Sequence, residues 1–102
     1  MPRKEHKTTP TIMGRILYTD VVAVPLDSPD WFDWLTHHTT FCFDSPLGSF
    51  TARCEPRANA VFWYAFRRYR ERLFKAYLGR SADLTSARLL EVAQQLGEKA
   101  GA

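Results

Sequence analysis

The chain has 102 residues, 45% of them apolar and 14% aromatic, and a formal net charge of +3. That is one domain's worth of chain with enough apolar surface for a core, which excludes global disorder. Two cysteines set in apolar strand patterns are no disulfide framework, no run approaches a membrane span, and MPRKEHKTTP lacks the apolar core of a signal peptide, so a reduced, cytoplasmic compartment is expected.

Residues 1–11, with Arg3, Lys4, His6, Lys7 and two prolines, read as a flexible basic tail. A single α+β domain is expected over 12–98, followed by a disordered tail over 99–102. RILYTDVVAV (15–24) is β-rich and predicts one or two short strands ended by Pro25. Ser28 as N-cap, Pro29 at the first helical position and Asp30 in the first turn predict a short helix over 29–37. Trp31, Trp34 and Leu35 share one face of it and plug the end of the core.

Strands follow at 39–44, 49–55, 61–69 and 72–78, with turn chemistry at Asp44–Gly48, Pro56–Asn59 and Arg70–Glu71. The C-terminal helix starts at Thr85 as N-cap, with Leu84 and Leu89 as a hydrophobic staple. Leu89, Val92, Ala93 and Leu96 form its apolar stripe, and Gly97 is its expected stop. The expected architecture is an antiparallel sheet of three or four strands packed against the C-terminal helix, with the short N-terminal helix beside it.

Charge is concentrated within this sheet. Arg53 to Arg80 holds eight Lys/Arg against two acids, a net +6, so the rest of the chain carries −3. Alternation predicts which residues face the helix. On the first of these strands Phe50, Ala52 and Cys54 are expected inside. On the second Phe62, Tyr64 and Phe66 are expected inside, and on the third Phe74, Ala76 and Leu78. The open face would then carry Thr51, Arg53, Trp63, Arg67, Leu73, Lys75 and Tyr77. The competing arrangement buries Trp63 and Tyr77 beneath the 29–37 helix and covers the sheet on both sides.

The run from Trp31 to Leu96 resembles a small module found before the ATPase of large LuxR-type ATP-dependent transcription regulators of bacteria, and in related short proteins. The resemblance rests on PDWFDWL, GSFTAR, FWYAFRRY, KAYLGRSADLT and ARLLEVAQQL, and covers about two thirds of the chain. More distantly, the strand order, aromatic strand, basic hairpin and LGR turn are similar to the arm-type, AP2-like DNA-binding domain of tyrosine recombinases. That likeness implies three antiparallel strands on a C-terminal helix, with the sheet entering the major groove. Such relatives carry a glycine in the turn between the last two strands. Here the turn reads RRYRER, which predicts a looser or differently registered hairpin.

The expected function is nucleic-acid binding, foremost double-stranded DNA, in transcription regulation or mobile-element biology. Arg53, Arg67 and Lys75 are expected on phosphates or bases. Arg68, Arg70 and Arg72 would hold the backbone from the hairpin tip, and Trp63 and Tyr77 would make apolar contacts. The alternative is a protein-interaction module that uses the same aromatic, basic face and docks on a partner such as a larger regulator. His37, His38 and Cys42 lack the spacing of a metal site. No nucleophile motif, phosphate loop or dinucleotide fingerprint is present, so no enzyme, cofactor, membrane partner or small-molecule substrate is expected.

Overall fold

The computed structural model describes residues 9–57 and 60–99. Most of the expected basic tail (1–8), residues 58–59 of the expected Pro56–Asn59 turn and residues 100–102 lie outside them, whereas Pro56 and Arg57 belong to a strand and Lys99, expected in a disordered tail, to a helix. The elements run β1 (Thr11–Met13), β2 (Ile16–Tyr18), β3 (Ala23–Pro25), α1 (Pro29–His37), β4 (Thr40–Ser45), β5 (Gly48–Arg57), β6 (Ala60–Tyr69), β7 (Arg72–Gly79) and α2 (Ser86–Lys99). A single 3-10 turn, Ser81–Asp83, joins β7 to α2.

The class is α+β, but the sheet is larger than expected. Seven strands lie in the order β3-β2-β1-β4-β5-β6-β7. All neighbours are antiparallel except β1 and β4, which run parallel, so the sheet is mixed. The three extra strands have three residues each, too short to show a period of two in the sequence. Thr11, placed in the tail by the sequence reading, starts β1. The helix at 29–37 is therefore internal and not N-terminal.

Local chemistry explains the helix ends. Ser28 Oγ accepts from Trp31 N–H, and Pro29 occupies the first turn. Thr85 Oγ1 accepts from Arg88 N–H, and Leu84 and Leu89 are both fully buried, as a staple requires. Asp27, held at φ 65°, adds a second cap. Its carboxylate accepts from Ser86 N–H at 2.8 Å and Ser86 Oγ at 2.7 Å, placing negative charge at the N-terminus of α2. Gly97 does not end α2, which continues to Lys99.

Both helices pack on the same face of the sheet. Leu89, Val92, Ala93 and Leu96 of α2 meet Phe50, Ala52, Ala76 and Leu78 in one core. Trp31 of α1 stacks on Trp34, meets Phe41 edge-on, and donates its indole N–H to the Leu84 carbonyl at 2.7 Å. Phe41 in turn packs on Trp63 at 5.4 Å. Of the competing arrangement, the burial of Trp63 on the α1 side therefore holds, whereas the burial of Tyr77 and a sheet covered on both sides do not. Among the described residues the opposite face carries no helix, and Tyr77 on it is 47% exposed.

Candidate nucleic-acid interface

The open face is built by register. β5 and β6 pair with Ala52 opposite Ala65 and Arg53 opposite Tyr64. β6 and β7 pair with Ala65 opposite Ala76 and Phe66 opposite Lys75. Cross-strand partners share a face. The buried helix-side row is therefore Phe41, Ala52, Ala65, Ala76, with Trp63 and Phe50 alongside. The open side holds two rows across the strands. One runs Thr11, Cys42, Thr51, Phe66, Lys75; the next runs Thr40, Arg53, Tyr64, Tyr77.

The expected faces hold for β5 and β7 and are inverted on β6. Trp63 is fully buried on the helix side, where its Nε1–H donates to Ser81 Oγ at 3.0 Å. It contributes nothing to the open face. Arg67 also points to the helix side. Its guanidinium lies against Gly48 and Gly97, so close that a Cβ at Gly48 would stand 2.6 Å from Nη1. That Nη1 is buried and has no hydrogen-bond partner among the described residues. In place of Trp63 and Arg67, the open face carries Phe62, Tyr64 and Phe66, which the sequence reading had put in the core.

The physical reason is the β6–β7 turn. It was expected to be looser or differently registered because it lacks glycine, and it is a tight two-residue turn. Tyr69 pairs with Arg72, and Arg70 and Glu71 both adopt left-handed φ, 52° and 67°. Two central residues with positive φ define the type I′ hairpin, whose twist suits the strands it joins. That turn ties odd residues of β6 to even residues of β7. Phe74, Ala76 and Leu78 inside then require Trp63 and Ala65 inside too.

On the open face every ring of β6 stands near cations. Lys75 Nζ is 4.3 Å from the Tyr64 centroid and 5.5 Å from that of Phe66. The guanidinium of Arg57 lies 5.9 Å from Tyr64, that of Arg53 6.0 Å from Phe66, and that of Arg80 5.5 Å from Phe62. Tyr77 packs beside Tyr64 at 5.5 Å and Phe62 at 6.2 Å. Glu55 pairs with both Lys75 (3.6 Å) and Arg57 (3.4 Å). Such half-exposed pairs are worth about 0–1 kcal/mol and exchange readily for another anion.

The remaining predicted residues divide. Arg53, Arg68, Lys75 and Tyr77 lie on the open face, with Arg68 opposite Leu73 near the hairpin tip. Arg70 stands over Tyr69 and Arg72 over Phe74, two rings on the helix side of the strands. These two cations therefore flank the tip from the other side. The sequence reading missed Phe62, Tyr64, Phe66, Arg57 and Arg80. The missed signal was the register that a two-residue turn imposes, applied back onto β6.

Beside Phe66 the face dips into a shallow groove of about 520 Å³, lined by Thr11, Ser49, Thr51, Asp44 and Arg68 among others. No group of three or more His, Cys, Asp or Glu side chains among the described residues is arranged to hold a metal ion. None of the helices is long and apolar enough to cross a membrane. The fold and face together define an α+β domain with one helix-covered side and one open, aromatic and basic side. No family model, curated protein or solved structure matches the chain.

Proposed function

We propose that the chain is a nucleic-acid-binding module that works through the open face of its sheet. The observation that carries this is the interleaving of rings and cations. Phe62, Tyr64 and Phe66 each have an Arg or Lys within 6.0 Å, and Glu55 pairs with two of those cations, Arg57 and Lys75. Cations neutralise phosphates and release counterions, while rings offer apolar or stacking contact to bases. The site residues are Arg53, Arg57, Arg68, Lys75 and Arg80 for phosphates, and Phe62, Tyr64, Phe66 and Tyr77 for bases. Arg70 and Arg72, on the helix side of the hairpin tip, meet a backbone only where it wraps around that tip. A role in bacterial transcription regulation, as the resemblance to the LuxR-type module implies, fits this reading.

The test is fluorescence anisotropy with labelled oligonucleotides, titrated from about 50 to 200 mM salt. Five engaged phosphates give a log–log slope between about −3.5 for a single strand and −4.5 for a duplex. Arg53→Ala/Lys75→Ala should flatten the slope by about 2. Absence of binding at low salt overturns the reading.

A second reading, protein contact through the same face, draws on Leu73 (57% exposed) and Tyr77. Tyrosine and arginine are among the residues that protein hot spots favour, and Leu73 beside them adds apolar area. Such an interface is held by apolar burial and responds weakly to salt, so the same titration separates the two.

A further inference from the structure

We infer that the preferred ligand of this face is single-stranded nucleic acid, bound by base stacking on Phe62, Tyr64 and Phe66; this rests on the nucleic-acid reading above. The three rings sit at alternate positions of one strand, all on the open side. Alternate residues in a strand are about 6.8 Å apart. Bases within a duplex strand repeat every 3.4 Å or so, and each face is covered by its neighbours. A duplex therefore offers this face only groove edges and phosphates, for which cations alone suffice. A single strand can splay its bases to match a spacing of twice the stacking distance, one base per ring.

The cations are placed for that geometry as well. Arg53 and Arg57 on β5 lie to one side of the ring row, and Lys75 on β7 to the other. A strand running along β6 thus has positive charge along both flanks. Lys75 already holds a π-face of Tyr64 at 4.3 Å, kept there by Glu55. A base that takes that place sends the ammonium outward to a phosphate, so one contact is exchanged for two. Past Phe66 the hydroxyls of Thr11, Ser49 and Thr51 and the guanidinium of Arg68 line the shallow groove and offer partners to the sugar-phosphate of the next nucleotide.

The test compares three labelled probes at one salt concentration: a thymidine 12-mer, a uridine 12-mer and the 12-bp duplex of the first. Charge alone favours the duplex, because its phosphates are denser. Stacking predicts that at least one single strand binds tenfold or more tighter than the duplex. It also predicts that Tyr64→Leu loses about 5- to 150-fold of that affinity, the worth of one stacked base. Tyr77→Leu, at an exposed position beside Tyr64, gives a second reading with little risk to folding, and intrinsic fluorescence of the buried Trp31, Trp34 and Trp63 checks that each variant is folded. Duplex binding equal to or tighter than single-strand binding, weakened by Arg53→Ala but not by Tyr64→Leu, overturns the stacking inference and leaves nucleic-acid binding standing. Failure of all three probes to bind at low salt overturns both.

Discussion

The β6–β7 turn carries a conformational cost that can be measured by removing it. Arg70 and Glu71 hold φ of 52° and 67°, where an L side chain costs roughly 1–2 kcal/mol per residue. Arg70–Glu71→Asn–Gly puts in the pair that type I′ turns favour. Glycine recovers its residue's whole cost and asparagine part of the other. Against this stands the unfolded-state entropy of glycine, about 0.5–1 kcal/mol. The cation–π contact of Arg70 with Tyr69, at 5.3 Å, is also lost, worth about 0.5–1 kcal/mol at an exposed site. The net gain is about 0.5–1 kcal/mol, or a Tm rise of roughly 2–8 °C. Thermal melts by circular dichroism and urea unfolding with an unchanged m-value check it. A Tm that stays put or falls would refute the reasoning, since it would mean that neither residue is strained. The same substitution removes a cation from the tip and should weaken nucleic-acid binding. Glu71→Gly alone should raise both stability and affinity. A strained turn kept with a cation on it is the pattern expected where function opposes stability.

Arg67 buries an Nη1 that has no acceptor among the described residues. Arg67→Met should therefore leave stability unchanged or higher in urea unfolding; a loss above about 2 kcal/mol would show that the guanidinium has a partner. Trp63→Phe opens space in the core and strands the Ser81 hydroxyl, costing about 1.5–3 kcal/mol. Oligonucleotide binding by the folded variant should be unaffected, and lost affinity at unchanged Tm would return Trp63 to the interface. Burial raises the Cys54 thiol above its ordinary pKa. The unfolded chain then releases that proton first, so stability falls as pH climbs through the ordinary thiol range near 8.5. The drop in the urea midpoint from about pH 7 to about pH 9.5 should be smaller in Cys54→Ala than in the natural chain.

Helices and long strands were legible because each carries its own local signal. Ser28-Pro29-Asp30 and Leu84-Thr85 mark helix starts by capping chemistry, which depends on no distant contact. β5 alternates cleanly, because its outward positions are charged or small, and β7 sets Lys75 between Phe74 and Ala76, which marks its outward side. β6 has no such mark. Both of its faces carry large aromatic residues, so a period of two fixes the alternation but not which face is buried. Sequence reasoning gave the core to Phe62, Tyr64 and Phe66 on apolarity, whereas the core took the small Ala65 and the large Trp63. Ala65 lies in the row of Ala52 and Ala76, where small side chains let α2 approach the sheet. β2 and β3 match the one or two short strands expected over 15–24; what stayed hidden was the three-residue β1 in the expected tail and its parallel join to β4, a long-range contact without a local signature.

The rest of the sheet argues that the open face, and not an edge, is the surface that meets a partner. An exposed edge strand is a template for strand addition. The outer edge of β7 is occupied by α2. Arg88 donates from Nε to the Leu78 carbonyl at 3.0 Å and from Nη2 to the Tyr77 carbonyl at 2.8 Å, and Lys99 donates to that of Lys75 at 3.3 Å. Leu78 is the residue left without an opposite number where the register shifts between Trp63 and Tyr64. Arg88 thus satisfies the carbonyls that this bulge turns outward. At the other edge β3 is three residues long and ends in Pro25, which cannot donate. Both edges are thereby made poor partners for another strand, and α1 and α2 cover the helix side. What is left for recognition is the broad face where Tyr64 stands among Arg57, Lys75 and Tyr77. Its half-exposed rings fill no core and form no edge, and under the proposed function they are the surfaces on which flat bases would stack.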